Sequence, residues 1–205
     1  MTGMHKLLGV AAAIVLATGC ATSPPARFYT LTGEPAPAAY ATGVAVAVGP
    51  VAIPAVVDRP EIVVAVGANE VWLDEFNRWA APLADGIALA VAADLAAKLS
   101  SPRVVVLAQA GADTEYRVAL DVQRFETAPG SHALVDAAWT VQRRDGAATG
   151  GRTVAREPAP ERGYDALAAA HSRALARVAT DVAAAIRALA AVPPRAGAGP
   201  PSPAK

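Results

Sequence analysis

Two stretches of the chain carry apolar residues at the spacing of a helix that rests on an apolar layer. The first follows Pro82, a favoured first residue of helices, and ends before Ser100. The second is longer and has arginines and Asp181 on its opposite side. Neither helix is expected to be stable alone, so the rest of the chain must supply the layer that both cover. The two stripes are Leu83, Ile87, Val91, Leu95 and Leu99, and then Leu167, Ala170, Ala174, Val178, Val182, Ile186 and Leu189.

The segments outside these helices alternate apolar and polar residues, which is the pattern of strands with one solvent-exposed face. The glycine and proline at 49–50 are expected to stop the first strand, and residues 67–69 and 145–146 to turn two hairpins. Together they predict an α+β fold: a single domain with a mixed, mostly antiparallel β-sheet and two long helices packed on one face. The strand segments are residues 44–48, 62–66, 70–73, 103–107, 116–123, 135–142 and 149–156.

The length and charge of the chain limit its architecture and its partners. Its 205 residues, less a leader and tails, suit one domain. Lys and Arg total 18 and so do Asp and Glu, so removing Lys6 with the leader leaves 17 against 18. A net charge of about −1 argues against a nucleic-acid partner, which favours a basic face.

The N-terminus has the layout of a bacterial export signal. His5 and Lys6 precede an apolar run, residues 7–17, that is too short to span a bilayer. Small residues then lead to Cys20, the one cysteine of the sequence, in an arrangement that resembles the bacterial lipobox. We therefore expect cleavage before Cys20, a thioether-linked diacylglycerol on its sulfur and an acyl chain on its new amine. Ala17 stands where leucine is usual and also suits ordinary signal peptidase, so a soluble exported protein is the alternative.

These features divide the chain into four parts. Residues 1–19 form the lipoprotein signal peptide, and residues 20–27 the lipidated N-terminus and tether. Residues 28–192 form the periplasmic α+β domain, and residues 193–205 a disordered tail rich in proline and glycine. Because alanine and not aspartate follows the cysteine, we expect the domain at the periplasmic face of the outer membrane, anchored through its acyl chains.

No pattern of residues in the sequence points to catalysis. It lacks the nucleophile-elbow, zinc-protease, phosphate-loop and dinucleotide motifs. Without the leader, His132 and His171 are the histidines that remain, and we expect no metal site and no cofactor beyond the acyl groups. His171 falls beside the second apolar stripe, where a hydrogen-bonded structural role is favoured over proton transfer. Asp74 and Glu75 are expected to be solvated loop acids.

Three residues are candidates for a partner-binding surface: Arg59, Trp72 and Trp79. The rigid donors of Arg59 suit a partner's carboxylate, although pairing with Asp58 or Glu61 is the simpler interpretation. Tryptophan is enriched at protein interfaces and membrane boundaries, which favours a partner or lipid surface. Core packing is the alternative for both tryptophans.

Five segments, in this order, resemble the PqiC/YmbA family of membrane-integrity lipoproteins, also called ABC-type transport auxiliary components. The resemblance covers nearly all of the mature chain and implies an outer-membrane lipoprotein. It further implies that the protein works with an MCE-domain protein and an inner-membrane transport component to move lipids across the periplasm. The segments are residues 28–31 (FYTL), 48–64 (VGPVAIPAVVDRPEIVV), 75–83 (EFNRWAAPL), Arg124-Phe125 ahead of the Trp139 strand, and 164–186 (YDALAAAHSRALARVATDVAAAI).

Two classes of function therefore compete. The favoured one is a non-catalytic lipoprotein subunit of an MCE-type lipid transport system, which docks to an MCE protein in the periplasm and supports envelope integrity. The alternative is a stand-alone structural or ligand-binding lipoprotein that captures its ligand between sheet and helices, and an enzyme is the least favoured class. Because a tunnel of MCE subunits is symmetric, a homo-oligomer that matches this symmetry is a further expectation.

Overall fold

An eight-stranded sheet forms the body of the protein in the computed structural model, which describes residues 24–35, 43–111, 113–161 and 163–193. A short 3-10 turn, Leu107–Gln109, follows the fifth strand. The strands are β1 (Arg27–Tyr29), β2 (Val46–Ala52), β3 (Glu61–Ala65), β4 (Val71–Trp79), β5 (Val104–Val106), β6 (Tyr116–Ala128), β7 (His132–Arg143) and β8 (Ala148–Pro158).

Strand β6 is the centre of this sheet. One of its edges pairs with β7, which pairs in turn with β8, and both of these long ladders are antiparallel. The other edge is shared: β2 lies beside the first half of β6, and β3 lies near its end, where Val64 is opposite Thr127. Beyond β2 lies β5, and beyond β3 lie β4 and then β1. The β3–β4 pairing is antiparallel and the shorter remaining pairings are parallel, so the predicted mixed, mostly antiparallel sheet is confirmed.

Both predicted helices are present, α1 (Leu83–Leu99) and α2 (Tyr164–Ala191). Their predicted stripes are buried apart from Leu99, which is half-buried. Helix α1 contacts β2 and β5, helix α2 contacts β7 and β8, and the two helices contact each other. The helices therefore share one face of the sheet, as predicted, and the core lies between the two layers.

Each helix ends in an arrangement that satisfies some of its last carbonyls. After α1, Ser100 has a left-handed conformation with φ 49°, and its N–H donates to the Ala97 carbonyl at 3.2 Å. After α2, the Nη1 atom of Arg143 donates to the carbonyls of Leu189 at 2.6 Å and Val192 at 2.7 Å. A cation at a helix C-terminus also interacts favourably with the helix dipole, so Arg143 fixes the end of α2 against the sheet.

The first strand segment differs from its prediction. Strand β2 does not stop at Gly49-Pro50 but continues to Ala52, and its register against β6 shifts between Val48 and Val51. An irregular ladder accommodates a proline, which has no N–H to donate. Strand β1 was outside the predicted set because three residues are too few to show a period.

Residues 30–35, which follow β1 and are here called the strap, bind both helices. The Thr32 N–H donates to the Ser172 hydroxyl of α2 at 3.0 Å. The Glu34 N–H donates to Oδ1 of Asp94 in α1 at 2.7 Å. The strap therefore ties the edge strand β1 to the helical layer.

Candidate functional site

His171 is a packing residue of the core. It is fully buried, its Nε2 atom lies 2.9 Å from the Thr127 hydroxyl, and its ring stacks on Phe125 with centroids 3.9 Å apart. Burial lowers the pKa of His171 to about 3, so the ring is neutral at pH 7. A neutral ring closed off from solvent has no access to a substrate. The geometry thus supports the structural role favoured from the sequence over proton transfer.

Asp74 is buried within β4, so the expectation of a solvated loop acid is wrong for this residue, while Glu75 is exposed. The Oδ1 atom of Asp74 accepts hydrogen bonds from the backbone N–H groups of Phe76 and Asn77, both at 3.0 Å. Burial by itself raises the pKa of Asp74, but hydrogen bonds from Tyr164, Asn77 and the backbone outweigh it and hold the pKa below its usual value. The carboxylate therefore joins β4 to the first residue of α2.

A second buried carboxylate is clamped between two arginines of neighbouring strands. Arg152 donates from Nε to Oδ1 and from Nη2 to Oδ2 of Asp136, both at 2.7 Å, and Arg124 donates from Nε to Oδ2 at 3.1 Å. The hydrogen bonds from Arg152, and then those from Arg124, lower the pKa of Asp136 to about 2. Since both carboxylate oxygens are occupied, this cluster ties β6, β7 and β8 together and is not arranged for acid-base chemistry.

The space between the sheet and the helices is filled by the core. A recess of about 410 Å³ beside α1, lined in part by Pro50, Leu89 and Leu107, opens to solvent. In the part of the chain that the structure describes, no three His, Cys, Asp or Glu side chains are grouped to hold a metal ion. None of the described helices is long and apolar enough to cross a membrane. A ligand between sheet and helices, as the alternative function requires, would have to displace core side chains.

Arg59 lies in the connection before β3 and does not pair with either expected neighbour. It is half-buried, and its Nε atom is buried without a hydrogen-bond partner among the described residues. Glu61 pairs with Arg78 instead, with Oε1 and Nη2 3.4 Å apart. The local ion pair that was the simpler interpretation is thus absent from the described part of the chain. A buried donor without an acceptor costs free energy.

Trp79 belongs to the core, as the alternative interpretation has it. It is 7% exposed and meets the rings of Phe125 and His171 edge-on, with centroids 6.0 and 6.2 Å away. Its backbone N–H donates to the Pro60 carbonyl at 2.8 Å. The large apolar area of this side chain is already covered by the protein itself, so it offers no surface to a partner in this structure.

Trp72 is the exposed member of the candidate set, with 55% of its surface accessible. It lies opposite Val64 in the β3–β4 ladder, whereas Arg59 precedes the start of β3. At about 3.3 Å per residue along the strand, the backbones of Arg59 and Trp72 are roughly 15 Å apart. The structure therefore does not bring these two residues into one hot spot.

Exposed apolar side chains near Trp72 extend this surface beyond the predicted residues. Val66 and Val71 flank the β3–β4 turn, Phe76 lies further along β4, and Phe28 lies in β1. Sequence reasoning missed Val66, Val71 and Phe28 because a strand pattern does not show where the covering helix begins.

A family model described as the ABC-type transport auxiliary lipoprotein component matches residues 29–183. The chain belongs to this family. The resemblance to the PqiC/YmbA lipoproteins is thereby confirmed, and the family is a class of transport components and not of enzymes. No curated protein matches the chain in sequence.

Solved structures share the fold of this auxiliary lipoprotein. The crystal structure of an uncharacterised protein has a TM-score of 0.67 at 18% identity, covering 80% of this chain and 99% of that chain. A protein of Xanthomonas campestris, described under family model DUF330, has a TM-score of 0.62 at 20% identity, covering 81% and 99%. At these identities the likeness concerns the fold.

The family match includes Arg59, Trp72 and Trp79 and begins after Cys20. Membership of a lipoprotein family supports anchoring to a membrane through lipid. Cys20 itself, the signal peptide and residues 194–205 lie outside the described residues, so their predicted roles stay predictions.

Proposed function

We propose that this protein is a non-catalytic outer-membrane lipoprotein subunit of an MCE-type lipid transport system. In this role it docks to an MCE-domain protein in the periplasm and supports envelope integrity together with an inner-membrane transport component. The observation that carries the proposal is the family match over residues 29–183. The filled core and the arrangement of the buried ionisable groups fit a docking subunit better than a ligand carrier.

The anchor of this subunit is Cys20. Its sulfur carries a diacylglycerol and its amine an acyl chain after the leader is removed, and more than one chain is enough for stable anchoring. Intact-mass measurement of the protein purified from membranes tests this. A mature N-terminus at Cys20 with the mass of the acyl groups supports the anchor, and an unmodified N-terminus contradicts it.

The docking contact includes Arg59. Arg59 is half-buried, and its Nε atom is buried without an acceptor among the described residues. The remaining N–H groups of its guanidinium would donate to a carboxylate or carbonyl of the MCE partner, and arginine is enriched among residues that dominate binding energy. Because Glu61 is taken up by Arg78, the protein does not neutralise Arg59 through that neighbour.

A pull-down from detergent-solubilised envelope tests the docking role. Wild-type protein is expected to retain an MCE-domain protein in stoichiometric amount, and Arg59→Ala to weaken this binding by about tenfold or more. Arg177→Ala is the matched control, since Arg177 is an exposed arginine of α2 that pairs with Glu157. Circular dichroism must show that both variants fold.

The outcomes separate the two classes of function. Equal binding by Arg59→Ala and Arg177→Ala would remove Arg59 from the docking surface. If the wild type retains no transport protein at all, the stand-alone lipoprotein becomes the better account. A homo-oligomer would be detected from the mass of the purified protein in detergent. We assign no residues to such an interface.

A further inference from the structure

Exposed apolar side chains lie along the outer strands of the sheet, from the β3–β4 turn to β1. Val66, Val71 and Trp72 surround the turn, Phe76 lies further along β4, and Phe28 of β1 lies opposite Arg78. We call these five residues the hairpin-end patch. Trp72 is 55% exposed and Phe28 is 63% exposed, values that are unusual for such large apolar side chains in a water-facing surface.

The chain that leads back to Cys20 runs toward this patch. Strand β1 is parallel to β4 with Arg27 opposite Asn77, so the residues before Arg27 run back along β4 toward its start. Pro24 and Pro25 accordingly line one surface recess together with Phe76, Asn77 and Tyr164. The N-terminal segment thus leaves the domain on the side where the patch lies.

The distance from this exit to the lipid-bearing residue is short. Pro24 follows Cys20 by four positions in the sequence, a stretch that spans at most about 14 Å when fully extended. Trp72 lies opposite Val64 and Arg78 lies opposite Glu61, three residues along β3, so Trp72 is roughly 10 Å from the level of β1. An acylated Cys20 therefore holds the start of β1, and the patch beside it, close to the membrane surface.

We propose that the hairpin-end patch rests on the membrane that holds the acyl chains of Cys20. This inference rests on the lipid anchor of the proposed function and adds a second, non-covalent contact of the domain with lipid. Tryptophan and phenylalanine suit this place because large aromatic side chains favour the boundary between headgroups and acyl chains. Arg27, Glu70 and Glu75 give the surroundings mixed charge, so the contact is interfacial and not an attraction to anionic headgroups.

The proposal fixes the orientation of the domain. Strands β3 and β6 end near the patch, and α2 begins there at Tyr164 and runs away from it. The opposite end of the domain, where Arg143 binds the last carbonyls of α2, then faces the periplasm. Over the length of β6 this places the far end roughly 40 Å from the membrane.

Quenching of tryptophan fluorescence by brominated lipid tests the contact. The full-length acylated protein is reconstituted into vesicles of phosphatidylethanolamine and phosphatidylglycerol that contain phosphatidylcholine brominated in its acyl chains. Bromine quenches at short range, so the emission of the exposed Trp72 is expected to be lost, while that of the buried Trp79 and of Trp139, in the middle of β7, persists. Trp72→Phe is expected to abolish the quenching without changing vesicle binding.

A relocated tryptophan provides the matched control. Val192 is 52% exposed, similar to Trp72, but lies at the far end of α2. In the double variant Trp72→Phe/Val192→Trp the new tryptophan is expected to stay unquenched. Quenching of Trp72 without quenching at position 192 supports the proposal, and equal quenching at both positions overturns it.

Failure of the patch and failure of the anchor give different results. An acylated, vesicle-bound protein whose Trp72 is unquenched overturns the patch contact and leaves the anchor intact. Shielding of that Trp72 by the MCE protein would then assign the patch to a protein partner. A protein that carries no acyl chain and does not sediment with vesicles overturns the anchor and, with it, this inference.

Discussion

The two tryptophans of β4 lie in the same strand, but another part of the protein packs over one of them and not over the other. Trp79, at the end of the strand, is 7% exposed and packs against Phe125 and His171. Trp72, near its start, is 55% exposed although its cross-strand neighbour Val64 is buried. The β3–β4 ladder runs beneath both side chains with a register shift between Asp74 and Arg78, and the layer above them differs.

That layer is helix α2. His171 of this helix lies against Trp79, whereas the helix begins at Tyr164, which bonds to Asp74. Trp72 lies two residues before Asp74 in β4, beyond the start of the helix. Cover, rather than residue type, decides which tryptophan stabilises the fold and which remains for binding. We therefore expect substitutions at buried positions to lower the free energy of unfolding more than substitutions at exposed positions.

The largest loss is expected at the covered end of β4. Trp79→Ala removes a buried indole from between Phe125 and His171 and should lower the free energy of unfolding by about 3–5 kcal/mol. Urea unfolding followed by circular dichroism measures this. Trp79→Phe should lose distinctly less, because it leaves a smaller cavity. A loss below about 1 kcal/mol for the alanine variant would mean that Trp79 is not covered as described.

The second-largest loss of stability is expected at a buried carboxylate, Asp136, and this loss should depend on pH. The pKa of Asp136 is lowered from 3.8 to about 2 by its hydrogen bonds with Arg152 and Arg124. Its contribution is therefore fully present above pH 4 and is lost as the pH falls from about 4 to about 2. Asp136→Asn should cost about 2 kcal/mol at pH 7 and much less at pH 2. Urea midpoints at both pH values measure the difference.

The exposed Asp121, which also lies in the sheet, is the control for this pH effect. Asp121→Asn should change the free energy of unfolding by less than about 0.5 kcal/mol at either pH. A wild-type loss at low pH that persists in Asp136→Asn would place its origin at other carboxylates.

A smaller loss is expected where the cover is a single hydrogen bond. Ser172→Ala removes the acceptor of the Thr32 N–H and should cost about 1 kcal/mol, because that donor is left unpaired. Hydrogen exchange in residues 30–35 should rise more than elsewhere. Thr180→Ala is the control, since the Thr180 hydroxyl donates to the Ala176 carbonyl within α2. Equal hydrogen exchange in both variants would show that Ser172 does not hold the strap in place.

The smallest loss is expected at the uncovered end of β4. Trp72→Ala should change the free energy of unfolding by less than about 0.5 kcal/mol, because the side chain is largely exposed in the folded protein. Thermal and urea unfolding measure this alongside Trp79→Ala. A loss as large as that of Trp79→Ala would remove the contrast between the two ends of β4.

The helices and hairpins could be predicted because their signals are local. An apolar residue every three or four positions marks α1 and α2, and short turns connect neighbouring strands. The placement of β2 and β3 along one edge of β6 could not be predicted, because Val46 and Val64 pair with residues far along the chain. Such parallel contacts leave no mark at either position alone.

The candidate site divides in the same way. The residue types of Arg59, Trp72 and Trp79 singled them out, and their surroundings decided their roles. Trp79 is covered by His171, and the expected partner Glu61 turns instead to Arg78. Both outcomes depend on side-chain geometry that spacing in the sequence does not contain.

The strap also sets an order of events as the chain emerges and folds. A chain that emerges from its N-terminus delivers Thr32 early and its partner Ser172 late. The Glu34 N–H likewise waits for Asp94. The strap is thus among the first described segments to emerge and among the last to be fastened, because its second hydrogen-bond partner lies in the second helix.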